Sequence, residues 1–379
     1  MNLIALKMLR GERAKYYGLI FGITFATLLM SQQVAIFIGL MERTASQIID
    51  LREADVWVMD PQVQYIDEII AMPDVKLSAV RSVSGVKWAV PFYKGLAVIK
   101  AGDGIMQQVI LLGIDDHSLI GAPPQMLHGR LEDIQQPNAM IIDRAGYEFI
   151  WPGQAVKLPR EIEINDHRVV ITGIADASAP FVTFPVVFTT YSRAVELAAK
   201  QRTQMSFIIA KANAGVDPTD LAKRIHQATN LQALTWYDFM WRSIEYYLQR
   251  TGIPVNFGIT VALGFIVGAS VAAQTFYIFV LENIRQFGTL KAIGVTNQQI
   301  LRMVLLQATV VGSIGYSIGI GFCALFFYCL SGVTALRGFY LPWQVALGTA
   351  IAVTVIMFLA SLVSIRKVFV LDPAVVFRG

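Results

Sequence analysis

The side chains best suited to acid–base or metal chemistry are scattered along this chain. His117, His128, His167 and His226 stand apart, without the spacing that lets histidines share a metal. The acidic pairs Asp115-Asp116 and Glu161/Glu163 fall where a loop and a strand are expected, and solvation accounts for them. Cys323 and Cys329 lie six residues apart in one apolar run. On a helix that is roughly 240° around the axis, so they cannot bridge each other and suit apolar packing. No GxxxxGK[ST] phosphate loop, HExxH or CxxC occurs. The residues predict no enzyme and no cofactor held by this chain. A different kind of segment stands out: Glu282 to Ile300, reading ENIRQFGTLKAIGVTNQQI. Ile284, Phe287, Leu290, Ile293 and Ile300 recur at roughly helical spacing, opposite Arg285, Gln286 and Lys291. Gly288 and Gly294 punctuate it, and Thr296 or Asn297 could cap a following helix. The pattern predicts a short amphipathic helix, a turn and the start of a new helix. An ordinary solvated loop with a basic flank fits the periodicity equally well.

The elements around this segment are set by hydropathy. Of 379 residues, 55% are hydrophobic and 15% charged, with a mean hydropathy of +0.54. Soluble domains carry about 25% charged residues, so this is an integral membrane chain. Four runs reach the roughly 20 residues a bilayer requires: 18–40, 254–281, 303–330 and 342–365. The first is longer than a signal-peptide core and lacks a small-residue cleavage site, so it is read as a retained span. Lys7, Arg10, Arg13 and Lys15 precede it, Arg285, Lys291 and Arg302 join the middle spans, and Arg366-Lys367 follow the last. The positive-inside rule then puts segments 1–17, 282–302 and 366–379 in the cytoplasm and 41–253 outside. The net charge of +4 is small and its cations crowd the span ends, which argues against a nucleic-acid surface.

Between the first two spans, hydropathy falls to that of a soluble domain. Strands are expected at Ala54–Met59, Val86–Pro91, Gly95–Lys100, Gln108–Ile114, Ala139–Asp143, Ile162–Ile164, Val169–Ile174 and Val186–Thr189. Helices are expected at Ile66–Met72, Val75–Ser82, Ser192–Lys200 and Pro218–Thr229. The fold class is therefore a four-helix membrane protein with a large α+β extracytoplasmic domain between helices 1 and 2. Leu231–Arg250 reads as one amphipathic stalk helix leading into the second span. Its Trp236, Tyr237, Phe239, Trp241, Tyr246 and Tyr247 suit an interfacial belt, and Tyr246 or Tyr247 could alternatively ligate haem. Gly258, Gly264, Gly268, Ala269, Ser270 and Ala273 give the second span small faces, as Gly312, Gly315, Gly319 and Gly321 do the third. Ser31, Gln32, Gln33 and Gln274 are amides and hydroxyls expected inside the bundle.

Arg285, Phe287-Gly288 and Leu290-Lys291-Ala292-Ile293-Gly294-Val295-Thr296, falling between the second and third spans, closely resemble the cytoplasmic loop of FtsX/MacB-type ABC transporter permeases. That loop forms a coupling helix seated in a groove of the ATPase subunit. The resemblance implies that Glu282, Arg285, Gln286, Phe287, Gly288, Thr289, Lys291 and Gly294 meet the ATPase. Gln286 stands where the family commonly has Glu and Phe287 where it has Ile, which bears on any acidic contact there. Leu371-Asp372-Pro373 to Arg378 resembles the family's C-terminal ending. Ala54-Asp55, Pro91-Phe92-Tyr93-Lys94-Gly95, Leu112-Gly113-Ile114-Asp115 and Ile142-Asp143-Arg144 resemble the DevC-like branch. The implied protein is a bacterial inner-membrane permease with both termini cytoplasmic. It would pair with a second copy and with a cytoplasmic ATPase dimer that holds ATP and Mg. A membrane-fusion adaptor and an outer-membrane channel would complete an exporter driven by mechanotransmission. The resemblance leaves two other members of the group open: a non-transporting FtsX-like activator of an extracytoplasmic partner, and a lipoprotein-releasing permease.

Overall fold

Long apolar runs hydrogen-bond within themselves as helices, and the alternating segments between them need partners and pair as strands. A computed structural model describes residues 2–11, 13–100, 104, 106–198, 204–331, 333 and 338–369. The helices in chain order are α1 (Asn2–Gly11), α2 (Arg13–Arg43), α3 (Ser46–Asp50), α4 (Val75–Arg81), α5 (Arg144–Ile150), α6 (Tyr191–Leu197), α7 (Pro218–Thr229), α8 (Trp236–Arg250), α9 (Ile253–Glu282), α10 (Ile284–Ala292), α11 (Asn297–Leu330) and α12 (Trp343–Phe369). The strands are β1 (Val56–Met59), β2 (Val86–Lys100), β3 (Met106–Ile114), β4 (Met126–His128), β5 (Ala139–Asp143), β6 (Arg160–Ile164), β7 (His167–Ala175), β8 (Val186–Thr190), β9 (Phe207–Ala212) and β10 (Gln232–Thr235). They fall into two units. One comprises 1–39, 252–332 and 339–379; the other comprises 40–251 with 333–338.

In the first unit α2, α9, α11 and α12 are long and apolar enough to cross a membrane. They meet at small residues. A Cβ on Gly268 would stand 2.5 Å from the Ala26 Cβ, and one on Gly264 would lie 3.4 Å from Met30 Cγ, so α9 closes on α2 there. Gly315 and Gly319 do the same for α11. Their Cβ atoms would approach Ile23 at 2.8 Å and Thr27 at 2.6 Å, and the Thr24 carbonyl at 2.8 Å from Gly319. Thr24 Oγ1 also donates to the Gly315 carbonyl at 3.2 Å. Gly312 sets α11 against Met357 of α12 at 3.0 Å. Gly258 and Gly321, which sequence spacing groups with these, face open space. Ser31 is buried as expected, whereas Gln274 points outward.

The second unit is organised by β2, a single 15-residue strand running through Pro91, where the sequence predicts two. Pro91 precedes Tyr93, the point where β3 begins to pair, so β2 has one strand neighbour there and tolerates proline. The first half of β2 pairs with β9, in the sheet β10-β1-β9-β2. Its second half enters a closed ring, β2-β3-β8-β5-β7-β6 and back to β2. The ring encloses Ile99, Val109, Leu111, Met140, Ile142, Ile164 and Ile171. Helices α4 and α7 cover one face of the open sheet over Val58, Ile208 and Ala210, with Ile225 of α7 in the same cluster. Trp57, Phe92, Phe207 and Phe239 form a separate aromatic cluster with centroid separations of 5.5 to 5.9 Å.

Three expectations need correcting. Ile66–Met72 is not helical: Ile66 donates its N–H to Ser243 Oγ and Met72 donates to the Met205 carbonyl, so tertiary partners take the donors a helix would use. Leu231–Arg250 is not one helix, because Gln232–Thr235 pair with β1 and the helix starts at Trp236 behind a Thr235 cap. Phe239 and Tyr247 of α8 are buried in this unit, leaving Trp236, Tyr237 and Trp241 exposed. The Tyr247 hydroxyl donates to Asp67 Oδ2 at 3.2 Å, and burial pushes its pKa up. The strand β9, central to the sheet, has no counterpart in the sequence reading.

Lys94 of β2 is fully buried, with its ammonium 2.5 Å from Asp67 Oδ1. Burial pushes its pKa down and Asp67 pulls it back up. Asp67→Ala strands this cation and should cost about 3 kcal/mol at neutral pH, read by chemical denaturation. A lysine whose folded pKa lies below its unfolded value, about 10.4, gains stability as pH rises toward that value. The deficit of the variant should therefore narrow toward about pH 10. In the membrane unit, Gly319→Ala should destabilise by about 1–3 kcal/mol while Gly321→Ala is tolerated, as thermal unfolding in detergent would report.

Candidate functional site

The segment from Asn283 to Thr296 is fixed at both ends and in the middle. Asn283 is buried, its Nδ2 donating to the Phe279 carbonyl at 2.9 Å as α9 stops. Its own carbonyl accepts from the Phe287 N–H at 3.0 Å, opening α10. At the far end the Val295 N–H donates to the Leu290 carbonyl and the Gly294 N–H to the Lys291 carbonyl, both at 3.0 Å. That is a complete Schellman ending, with Gly294 at φ +94 in the left-handed position. Thr296 then caps α11 reciprocally with Gln299: Oγ1 accepts from the Gln299 N–H, and Gln299 Oε1 accepts from the Thr296 N–H at 3.0 Å.

In the middle, Phe287 is fully buried and shares one apolar cluster with Phe276, Phe279, Ile300, Met303 and Val304. Gly288 is buried beside it. The same cluster takes in Ala5, Met8 and Leu9 of α1, and Gln307 Nε2 of α11 donates to the Ala5 carbonyl at 2.7 Å. This first helix was not anticipated, although Ala5, Met8 and Leu9 carry the i, i+3, i+4 signal. Lys291 is half-buried and donates to the Phe369 carbonyl of α12 at 3.2 Å. Glu282 forms an ion pair with Lys15 of α2.

Exposed within the segment are Arg285, Gln286, Thr289, Ala292, Ile293, Gly294 and the capping Thr296. Ile293 is 74% exposed, so it leaves the apolar face that periodicity gives it. The helix ends at Ala292, and the turn rotates Ile293 outward. The outer face of α10 thus presents a cation, an amide, a hydroxyl and an isoleucine. It holds no acid–base pair and no nucleophile beside a base. The residues Leu371 to Arg378 lie outside the described residues.

The family model of the MacB-like periplasmic core domain matches residues 17–228, more than half of the chain. The model of the FtsX-like permease C-terminal matches residues 258–373, which contain α10 and its flanking spans. The chain belongs to the FtsX/MacB-type family of ABC transporter permeases. Among its relatives is an uncharacterized ABC transporter permease of Mycobacterium tuberculosis, 27% identical over 221 residues, 58% of this chain and 58% of the relative. The chain therefore matches little more than half the length of that relative. A second uncharacterized permease of that organism is 23% identical over 311 residues, 82% of this chain and 80% of the other. The periplasmic region of MacB from Actinobacillus actinomycetemcomitans aligns over 52% of this chain and 96% of its own, at 14% identity and a TM-score of 0.37. The extracellular domain of YknZ from Gram-positive bacteria aligns over 48% and 98%, at 12% identity and a TM-score of 0.37.

In this permease a Cβ on Gly294 would meet nothing within 4 Å, so the only obstacle to a side chain there is the backbone angle. Gly294→Val should loosen the α10 ending by about 1 kcal/mol or more, raising hydrogen exchange of α10 amides roughly fivefold. Gly294→Asn, which tolerates the left-handed region, should do less.

Proposed function

We propose that this permease is the membrane subunit of an ATP-driven exporter, and that α10 is its coupling helix. One observation carries the reading: α10 is anchored by the buried Phe287 and closed by its Schellman ending, while Arg285, Gln286, Thr289 and Ile293 are exposed away from that anchor. A force applied to that face passes into the spans, because the anchor shares a cluster with residues of α1, α9 and α11. Phe287 and Gly288 are inner-face residues of the contact; Arg285, Gln286 and Thr289 would touch the ATPase. Glu282 and Lys291 would brace α10 through Lys15 and Phe369.

The cations Lys7, Arg13, Lys15, Arg285, Lys291, Arg302 and Arg366 favour a cytoplasmic placement of both termini and of α10, with the α+β domain outside a bacterial inner membrane. ATP and Mg would be held by a separate ATPase dimer, and two copies of the permease would face it. The glycine contacts of Gly264, Gly268, Gly312, Gly315 and Gly319 keep the spans close, which favours transmitting motion over opening a wide channel. The α+β domain would then move cargo outside the membrane, with an adaptor and an outer-membrane channel, as the DevC-like motifs imply. In the other reading, the same motion switches an extracytoplasmic partner without transport. Flux measured in a reconstituted complex separates the two.

Arg285→Glu combined with Ile293→Glu should abolish co-purification of the ATPase and reduce stimulated ATP hydrolysis at least about tenfold. Both residues are exposed, so the unfolding temperature should not change. Retained association at wild-type affinity would overturn the assignment of α10.

A further inference from the structure

Helix α8 carries a polar stripe that nothing above employs. Arg242, Glu245, Tyr246, Gln249 and Arg250 follow at i, i+3, i+4, i+7 and i+8, one face of the helix. Opposite them Pro61, Gln62 and Gln64 form the other wall of an open groove of about 540 Å³. Its floor is stiff: the Tyr246 ring stacks on Tyr65 with centroids 4.0 Å apart and planes 12° from parallel. The donors outnumber the acceptors. Glu245 is the one carboxylate lining the groove, and its Oε1 already accepts from Gln249 Nε2 at 2.7 Å. The nearby carboxylates of Asp60 and Glu68 accept from the loop's own backbone, at Gln62 N and Gln64 N. Arg242 contacts the side-chain oxygen of Gln232 once that amide is turned to donate to the Val63 carbonyl. Arg250 is exposed and has no carboxylate partner among the described residues. Two guanidiniums and three amides against one carboxylate leave the groove net positive and rich in donors, which fits an oxyanion.

The covalent chain says where such an oxyanion would come from. Arg250 is three residues before Ile253, the first residue of the membrane-spanning α9. Three residues of extended backbone reach at most about 10 Å, so the arginine end of the groove lies within that distance of the start of α9. The 30 residues of α9 span about 45 Å, the thickness of a bilayer with its headgroups. Anionic headgroups concentrate at that level, and a basic residue near them gains about 1 kcal/mol. The geometry points to this groove as a binding site for the phosphate-bearing headgroup of an anionic phospholipid, with Arg242 and Arg250 as its phosphate ligands. Gln62, Gln64 and Gln249 would bond the rest of the headgroup. Binding there would be independent of any ATPase contact at α10.

The full chain, reconstituted in phosphatidylcholine nanodiscs with a few per cent of phosphatidylglycerol and then released into detergent, tests this by native mass spectrometry. Wild-type protein should retain phosphatidylglycerol in preference to phosphatidylcholine. Arg250→Gln should lower that preference about fivefold, and Arg242→Gln with Arg250→Gln about 25-fold. Glu245→Gln should raise it. Arg250 is exposed and has no ion pair among the described residues, so its single variant should melt as wild type does. Unchanged phosphatidylglycerol retention in both arginine variants would overturn the site. Glycerol phosphate offered to protein in pure phosphatidylcholine discs separates the two sources of phosphate. Binding as tight as that of the lipid would mean a soluble-phosphate site and would overturn the membrane assignment.

Discussion

The burial of Phe287 is the constraint on which the rest depends. A helix as short as α10, Ile284 to Ala292, has little stability of its own in water. Its position comes from one aromatic ring sunk among the side chains of α9 and α11, and from the Schellman ending that takes up carbonyls of its last turn. With that ring inside, helical geometry leaves Arg285, Gln286 and Thr289 no choice but to face outward. The same cluster reaches α1, so the N-terminal helix and the loop between the second and third spans are parts of one packed body. Changing the ring for the family's smaller isoleucine would alter the fit of that body rather than the identity of the exposed face.

Contact between the spans is made where side chains are missing. In lipid no hydrophobic effect drives helices together, so close approach and carbonyl contacts must do it. α2 supplies Ile23, Ala26 and Thr27 to glycines on two different helices, Gly268 of α9 and the pair Gly315 and Gly319 of α11. It is therefore the element against which the other two register. A Cβ at Gly319 would meet a backbone oxygen, which cannot swing aside as the tip of a side chain can. That makes this seam stiff, and a stiff seam passes on displacement.

The α+β domain repeats the theme of one element shared by two neighbours. β2 belongs to an open sheet in its first half and to a closed ring in its second, so the two parts cannot move apart without bending a continuous strand. At the changeover lies the buried Lys94, held by Asp67, whose other oxygen reaches Tyr247 of α8. A buried cation needs such a partner because desolvation otherwise disfavours its charge. The network joins the strand, the irregular segment before α4 and the helix that precedes the second span.

The sequence by itself determined the class of protein, the four spans, the position of the large domain and the loop between the middle spans. These rest on length and composition, which no tertiary contact overrides: a run of about 20 apolar residues has nowhere else to go. The glycine and threonine that end α10 and begin α11 were equally legible, because left-handed backbone and capping are local matters. Tertiary structure alone decided which glycines touch a neighbour, since Gly319 and Gly321 have the same composition around them and face opposite ways. It turned Ile66–Met72 from a helix into an anchored loop, joined two strands through Pro91, and moved Phe239 and Tyr247 from an interfacial belt into a core. It also brought Pro61, Gln62 and Gln64 opposite Arg242 and Arg250, a pairing across some 180 residues that no local pattern encodes. In each case partners distant in the chain took the hydrogen bonds or the apolar surface that local propensity had assigned elsewhere.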